Sequence, residues 1–80
     1  MLKYENKIRE IIASNLKKNV SINDINVNDD LRNIGMDSIS FITIVLAIED
    51  EFGIEFPNDK LLISDAGTIA LLNNIIDTNI

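Results

Sequence analysis

Reactive chemistry in this sequence concentrates on Ser38. It lies in Gly35-Met36-Asp37-Ser38-Ile39, which opens a run of apolar and acidic residues reaching Phe52. A hydroxyl at the start of a helix stands in water at the positive end of the helix dipole, where a phosphate is favoured. To attack a substrate unaided, that hydroxyl needs a base to take its proton. The chain has no histidine and no cysteine, and Asp37 adjoins Ser38 with no third residue evident to orient it. Three glycines make no phosphate-cradling loop. Acidic residues alone at these spacings make no metal site, and a helical domain of 80 residues leaves little room for a deep pocket. No catalytic residue and no metal ligand are assigned, and a self-contained enzyme is not expected. Ser38 then reads either as a helix cap, whose removal would cost at most about 1 kcal/mol, or as a handle that another protein modifies.

A second candidate site fails on spacing. Asp24-Ile25-Asn26-Val27-Asn28 imitates the start of an EF-hand calcium loop. The sixth position is Asp29 where glycine is needed, and the twelfth is Gly35 where a bidentate glutamate is needed. An Asx-rich turn is the better reading.

Charge narrows the class of partner. The net charge is −6, and it is unevenly placed. After Asn33 the only basic residue is Lys60, against Asp37, Glu49, Asp50, Glu51, Glu55, Asp59, Asp65 and Asp77. Such a surface repels nucleic acid and an anionic membrane, and suits partners with basic docking patches. With no cysteine there is neither a disulfide nor a thiolate metal site. No signal segment and no membrane-spanning run is evident, so a cytoplasmic monomer is expected. The length suits one domain over residues 1–80, and the starting Met1 suggests a free-standing protein.

The elements that must position Ser38 follow from periodicity. Tyr4, Ile8, Ile11, Ile12 and Leu16 form one stripe, predicting a helix from Leu2 to about Leu16, with Lys3, Glu5, Lys7, Arg9 and Glu10 on its other faces. Lys17 and Lys18 suit its last turn, and Asn19 its cap. A long, Asx-rich connection from Val20 to Asp37 is pinned by Val20, Ile22, Ile25, Val27, Leu31 and Ile34, with a short helical turn near Asp29 to Asn33. The second helix runs from about Ser38 to Phe52. Phe41, Ile44, Val45, Ile48 and Phe52 make its core face, and Ser40, Thr43, Ala47 and Glu51 the opposite one. A third arc of Ile39, Ile42, Leu46, Glu49 and Asp50 mixes apolar and acidic groups and suggests a partner surface, although Ile42 and Leu46 would equally serve to broaden the core. Gly53 and Pro57 end this helix. A short third helix from Asn58 or Asp59 through Ile63 follows, then a turn at Ser64 to Thr68. A last helix from about Thr68 to Asp77 buries Ile69, Leu72, Ile75 and Ile76. The expected fold class is all-α, a four-helix bundle with a long first loop and a short third helix.

The stretch Gly35-Met36-Asp37-Ser38-Ile39, followed by Val45-Leu46-Ala47-Ile48-Glu49-Asp50-Glu51-Phe52-Gly53-Ile54-Glu55-Phe56-Pro57, resembles the acyl and peptidyl carrier proteins. The family pattern is Gly-x-Asp-Ser-Leu/Ile, a helix closing on acids and Phe, then an apolar strip and Pro. The resemblance implies that Ser38 carries 4'-phosphopantetheine taken from coenzyme A, attached by a phosphopantetheinyl transferase that supplies magnesium. The arm would hold an acyl or aminoacyl group as a thioester, delivered from a loading enzyme to a downstream synthase or transferase. Asp37 would help present the serine. Ile39, Ile42, Leu46, Glu49 and Asp50 would dock partners. Ser40 and Thr43 stand where carriers of fatty acid synthesis often have acids. That leaves polyketide, nonribosomal peptide and D-alanyl ligation pathways beside fatty acid synthesis. The alternative is an unmodified helical protein–protein interaction module.

Overall fold

The computed structural model describes residues 2–16, 22–57 and 66–80. Helix α1 spans Glu5–Asn15, α2 spans Ser38–Phe52 and α3 spans Ile69–Asn79. Two 3-10 turns, Ile22–Asp24 and Leu31–Ile34, lie in the connection between α1 and α2. Among the described residues there is no strand. The short helix expected from Asn58 or Asp59 through Ile63 lies outside the described residues, as do Lys17, Lys18, Asn19 and Val20.

Helix α1 packs against both α2 and α3. Its stripe enters the core at Ile8, Ile11 and Ile12, with Tyr4 and Leu16 partly buried at its two ends. From α2 come Phe41, Ile44, Val45 and Ile48, and from α3 come Ile69, Leu72, Ile75 and Ile76. The 3.6-residue period therefore selects the buried face on each helix, as expected. Helix α1 starts later than Leu2, after a turn over residues 3 and 4 in which the Glu5 N–H donates to Leu2 O at 3.3 Å, and the N-cap Tyr4 makes no side-chain cap bond. Its end is satisfied from outside instead: the Tyr4 backbone N–H donates to the Asn73 side-chain oxygen on α3 at 2.8 Å. The Tyr4 ring meets Phe52 of α2 edge-on, with centroids 5.3 Å apart, so all three helices converge there.

One residue of α1 departs from its expected place. Arg9, grouped by sequence with the solvated faces, is only 9% exposed. Its Nε donates to Glu5 Oε2 at 3.0 Å, and its guanidinium also donates to the Ile22 carbonyl. The buried charge is thus paired and hydrogen-bonded, which is what makes its burial tolerable. The Glu5 carboxyl is held below its ordinary range, chiefly by the Arg9 hydrogen bond. Arg9 fixes the first 3-10 turn of the long connection to α1.

That connection is pinned as its apolar residues suggested. Leu31 is fully buried, Ile25 nearly so, and Ile22, Val27 and Ile34 pack partly against the core. Two backbone bonds tie it to the start of α3: Leu31 N–H donates to Gly67 O at 2.8 Å, and Ala70 N–H to Val27 O at 2.9 Å. The stretch resembling a calcium loop closes on itself. The Asn26 and Asn28 N–H groups donate to Asp29 Oδ2 and Asn26 Oδ1 at 3.0 and 2.9 Å, an Asx-turn arrangement. Among the described residues no cluster of three or more acidic, histidine or cysteine side chains is placed to hold a metal ion.

Candidate functional site

The approach to Ser38 is built by alternating demands on a few residues. Asp30 caps the turn Leu31–Ile34: its carboxylate accepts the Arg32 N–H at 2.9 Å and binds the Arg32 guanidinium, with a closest approach of 2.6 Å. Those bonds, the Arg32 side chain first, hold the Asp30 carboxyl below its ordinary value. Gly35 then takes φ 95°, a left-handed conformation that glycine adopts without penalty, and the chain turns back on itself. Met36 is buried, whereas Asp37 and Ser38 are exposed. Met36 acts as the plug beneath the two polar residues. The sequence reading assigns Met36 no place in the core, and its apolar side chain between glycine and aspartate is the signal that could have done so.

Asp37, in extended backbone, is the N-cap of α2. Its Oδ1 accepts the Ser40 N–H at 2.8 Å, and its carbonyl accepts the Phe41 N–H at 2.9 Å. The Asp37 carboxyl lies below the ordinary aspartate range because the Ser40 backbone N–H, and then the Ser40 side chain, bind its charged form. This removes one of the two roles open to Ser38. The capping role belongs to Asp37, and Ser38 is the first residue of the helix, exposed to solvent. Ser38 is therefore not needed to close the helix end. Its position is one where the helix dipole and unpaired N–H groups favour an added anion, so the residues present fit a phosphate ester on the Ser38 oxygen.

Beyond Ser38, α2 follows its expected arcs in part: Phe41, Ile44, Val45 and Ile48 are buried, whereas Phe52, at the helix end, is only partly so. Ile39 is 80% exposed, Ile42 41% and Leu46 59%. Ile42 and Leu46 thus face water rather than broadening the core, and with Ile39 they form an apolar stripe leading away from Ser38. Ser40 and Ala47 are half-buried rather than fully solvated, while Thr43 and Glu51 are exposed.

The acids at the far end of α2 are not equivalent. Asp50 and Glu51 are exposed. Glu51 lies 3.9 Å from the Lys7 ammonium on α1, an exposed pair of little energetic weight. Glu49 is half-buried, and its Oε2 accepts the Phe56 N–H at 2.8 Å. No sequence rule pairs residues seven apart across a helix end, so this bond was not foreseen.

Ser38 is thus an exposed serine at the first position of a capped helix, on a frame that is helical throughout its regular elements among the described residues. A family model described as a phosphopantetheine attachment site matches residues 6–72. The chain belongs to the acyl and peptidyl carrier protein family. It is 36% identical over 56 residues to an acyl carrier protein homolog of Ureaplasma parvum serovar 3, covering 69% of this chain and 73% of that protein. It is 38% identical over 56 residues to an acyl carrier protein homolog of Mycoplasma genitalium, covering 70% of this chain and 66% of that one. An acyl carrier protein of Lactobacillus acidophilus is 39% identical over 56 residues, covering 69% of this chain and 68% of the relative. No solved structure matches this chain. Among the described residues no helix is long and apolar enough to cross a membrane.

Proposed function

We propose that this chain is a carrier whose Ser38 bears 4'-phosphopantetheine, on a single domain completed as a four-helix bundle by a short helix through Ile63. The observation that carries the proposal is the division of labour at the start of α2, where Asp37 takes the cap and leaves Ser38 exposed. Attachment forms a bond from Ser38 Oγ to the phosphorus of the pantetheine arm of coenzyme A. The serine loses its proton, and the adenosine bisphosphate portion of coenzyme A leaves. A phosphopantetheinyl transferase with its magnesium supplies the base and the charge neutralisation that this chain lacks. The resulting phosphodiester keeps one negative charge at the helix N-terminus, where the dipole stabilises it. Asp37 holds the first turn in place so that Oγ is presented in a fixed direction. The bound arm supplies a thiol that holds an acyl or aminoacyl group as a thioester, and tethering replaces diffusion by a high effective concentration.

The remaining chemistry of this chain is recognition. The stripe of Ile39, Ile42 and Leu46, with Asp50 and Glu49 at its far end, is the surface on which the transferase, a loading enzyme and a downstream synthase or transferase dock. Apolar contact near Ser38 and cation contact at the acidic end fit partners with a hydrophobic patch beside a basic one. The protein acts in the cytoplasm as a carrier rather than as a catalyst.

Incubation with coenzyme A, magnesium and a broad-specificity transferase tests this by intact-protein mass. A gain of one phosphopantetheine is expected, and none in Ser38→Ala. A wild-type chain that stays unmodified while a known carrier is labelled beside it would return the protein to the class of unmodified interaction modules.

A further inference from the structure

Glu49 gathers the backbone donors of the chain as it leaves α2. Its carbonyl accepts the N–H of the cap residue Gly53 and, at 3.2 Å, that of Ile54. Its carboxylate reaches further and accepts the Phe56 N–H at 2.8 Å. Between these bonds the chain turns at Gly53, with φ 65°, and then delivers two core side chains, Ile54 and Phe56, both buried. This segment has no helix or sheet to satisfy its amides, and an amide left unsatisfied beside a buried side chain is costly. The Glu49 carboxylate is what meets that demand at Phe56. A charged acceptor makes the stronger kind of hydrogen bond, and the half-buried position of Glu49 shields it from competing water.

We infer that Glu49 is a positioning residue, an internal latch that sets the path of residues 53–57, and that its reach matters more than its charge. Asp50 and Glu51, both exposed, differ from it in this respect. The latch engages one carboxylate oxygen, Oε2, and can stand beside the docking role proposed above, but the two roles have opposite substitution rules. A docking charge tolerates Glu49→Asp and fails in Glu49→Gln. A latch tolerates Glu49→Gln, whose amide oxygen still reaches Phe56, and fails in Glu49→Asp, which is one methylene short. The inference does not depend on Ser38 being modified.

Amide hydrogen exchange by NMR on the full chain tests it. In Glu49→Asp the Phe56 amide should exchange at least tenfold faster than in the wild type, while the Ile44 and Ile48 amides, within α2, keep their rates. In Glu49→Gln the Phe56 amide should stay within about threefold of wild type. The opposite ranking, or no change at Phe56 in either variant, overturns the latch. A measurement on the wild type removes any dependence on variant folding: a scalar coupling across the hydrogen bond from the Phe56 nitrogen to the Glu49 carboxyl carbon is expected. Its absence, where couplings across helix bonds are visible, overturns the latch as well. Transferase labelling of Ser38, measured on the same samples, reports separately on the carrier reading.

Discussion

Replacing Ile44 and Leu46 separately by alanine should give two very different proteins, although the residues are two apart on one helix. Ile44 is fully buried, whereas Leu46 is 59% exposed. Truncating a buried isoleucine to alanine costs about 2–5 kcal/mol, from lost burial plus the cavity left behind. Burying a whole leucine side chain is worth roughly 1.5–3 kcal/mol, and only about two-fifths of Leu46 is out of water, so its truncation should cost at most about 1 kcal/mol. A domain of this size has a total stability of roughly 4–12 kcal/mol, so the first change removes a large share of it. Urea denaturation followed by far-UV circular dichroism measures both, read from the midpoint at constant m-value. The same pair separates folding from recognition. If Leu46 lies on the docking stripe, Leu46→Ala should lower kcat/KM for Ser38 modification about fivefold or more while remaining folded, the loss of roughly 1 kcal/mol of contact. Equal destabilisation by the two substitutions would mean that α2 presents a different face to the core, and the reasoning from its arcs would be refuted.

Other outcomes follow from individual bonds. Thr68 caps α3, its Oγ1 accepting the Leu71 N–H at 3.1 Å, so Thr68→Ala should lower stability by about 1 kcal/mol in the same urea assay. Gly53 has φ 65° and no atom within 4 Å of an added Cβ, so the penalty there is conformational alone; Gly53→Ala should cost about 1 kcal/mol and Gly53→Asn less, by thermal midpoint. Asp37 has its folded-state pKa depressed by the bonds it accepts. Its contribution is therefore fully present above the unfolded aspartate value of about 3.9 and is lost as pH falls through the lower folded value. Asp37→Asn should flatten that acid limb in a stability–pH profile, and an unchanged limb would remove Asp37 from the account. Lys7→Ala should move stability by less than about 0.5 kcal/mol, because the pairs with Glu10 and Glu51 are exposed.

Much of the frame was legible because it is written in local rules. The bounds of α2, Ser38–Phe52, follow from an Asp-Ser start, a 3.6-residue apolar period and a glycine stop. The buried sets of α1 and α3 follow from the same period. What escaped was tertiary. Arg9 looks like any helix-surface cation until the Ile22 carbonyl arrives from another segment to pair with it. Asp37 and Ser38 are both good capping residues, and their adjacency hid which one takes the bond; the structure gives it to Asp37 through Ser40. Glu49 carries no mark in sequence of its bond to Phe56, since that bond exists only after Gly53 has turned the chain. The exposure of Ser38, Ile39 and the residues that follow on that arc was therefore legible, and the tasks of the neighbouring carboxylates were not.

The most direct measurement is the position of the modification. The chain is co-expressed with a phosphopantetheinyl transferase, digested, and fragmented in a mass spectrometer. The account predicts one phosphopantetheine per chain, borne by Ser38, with Ser40 and the other hydroxyl residues bare. A modification on any other residue, or a chain that leaves the cell bare while a co-expressed carrier is labelled, would contradict it.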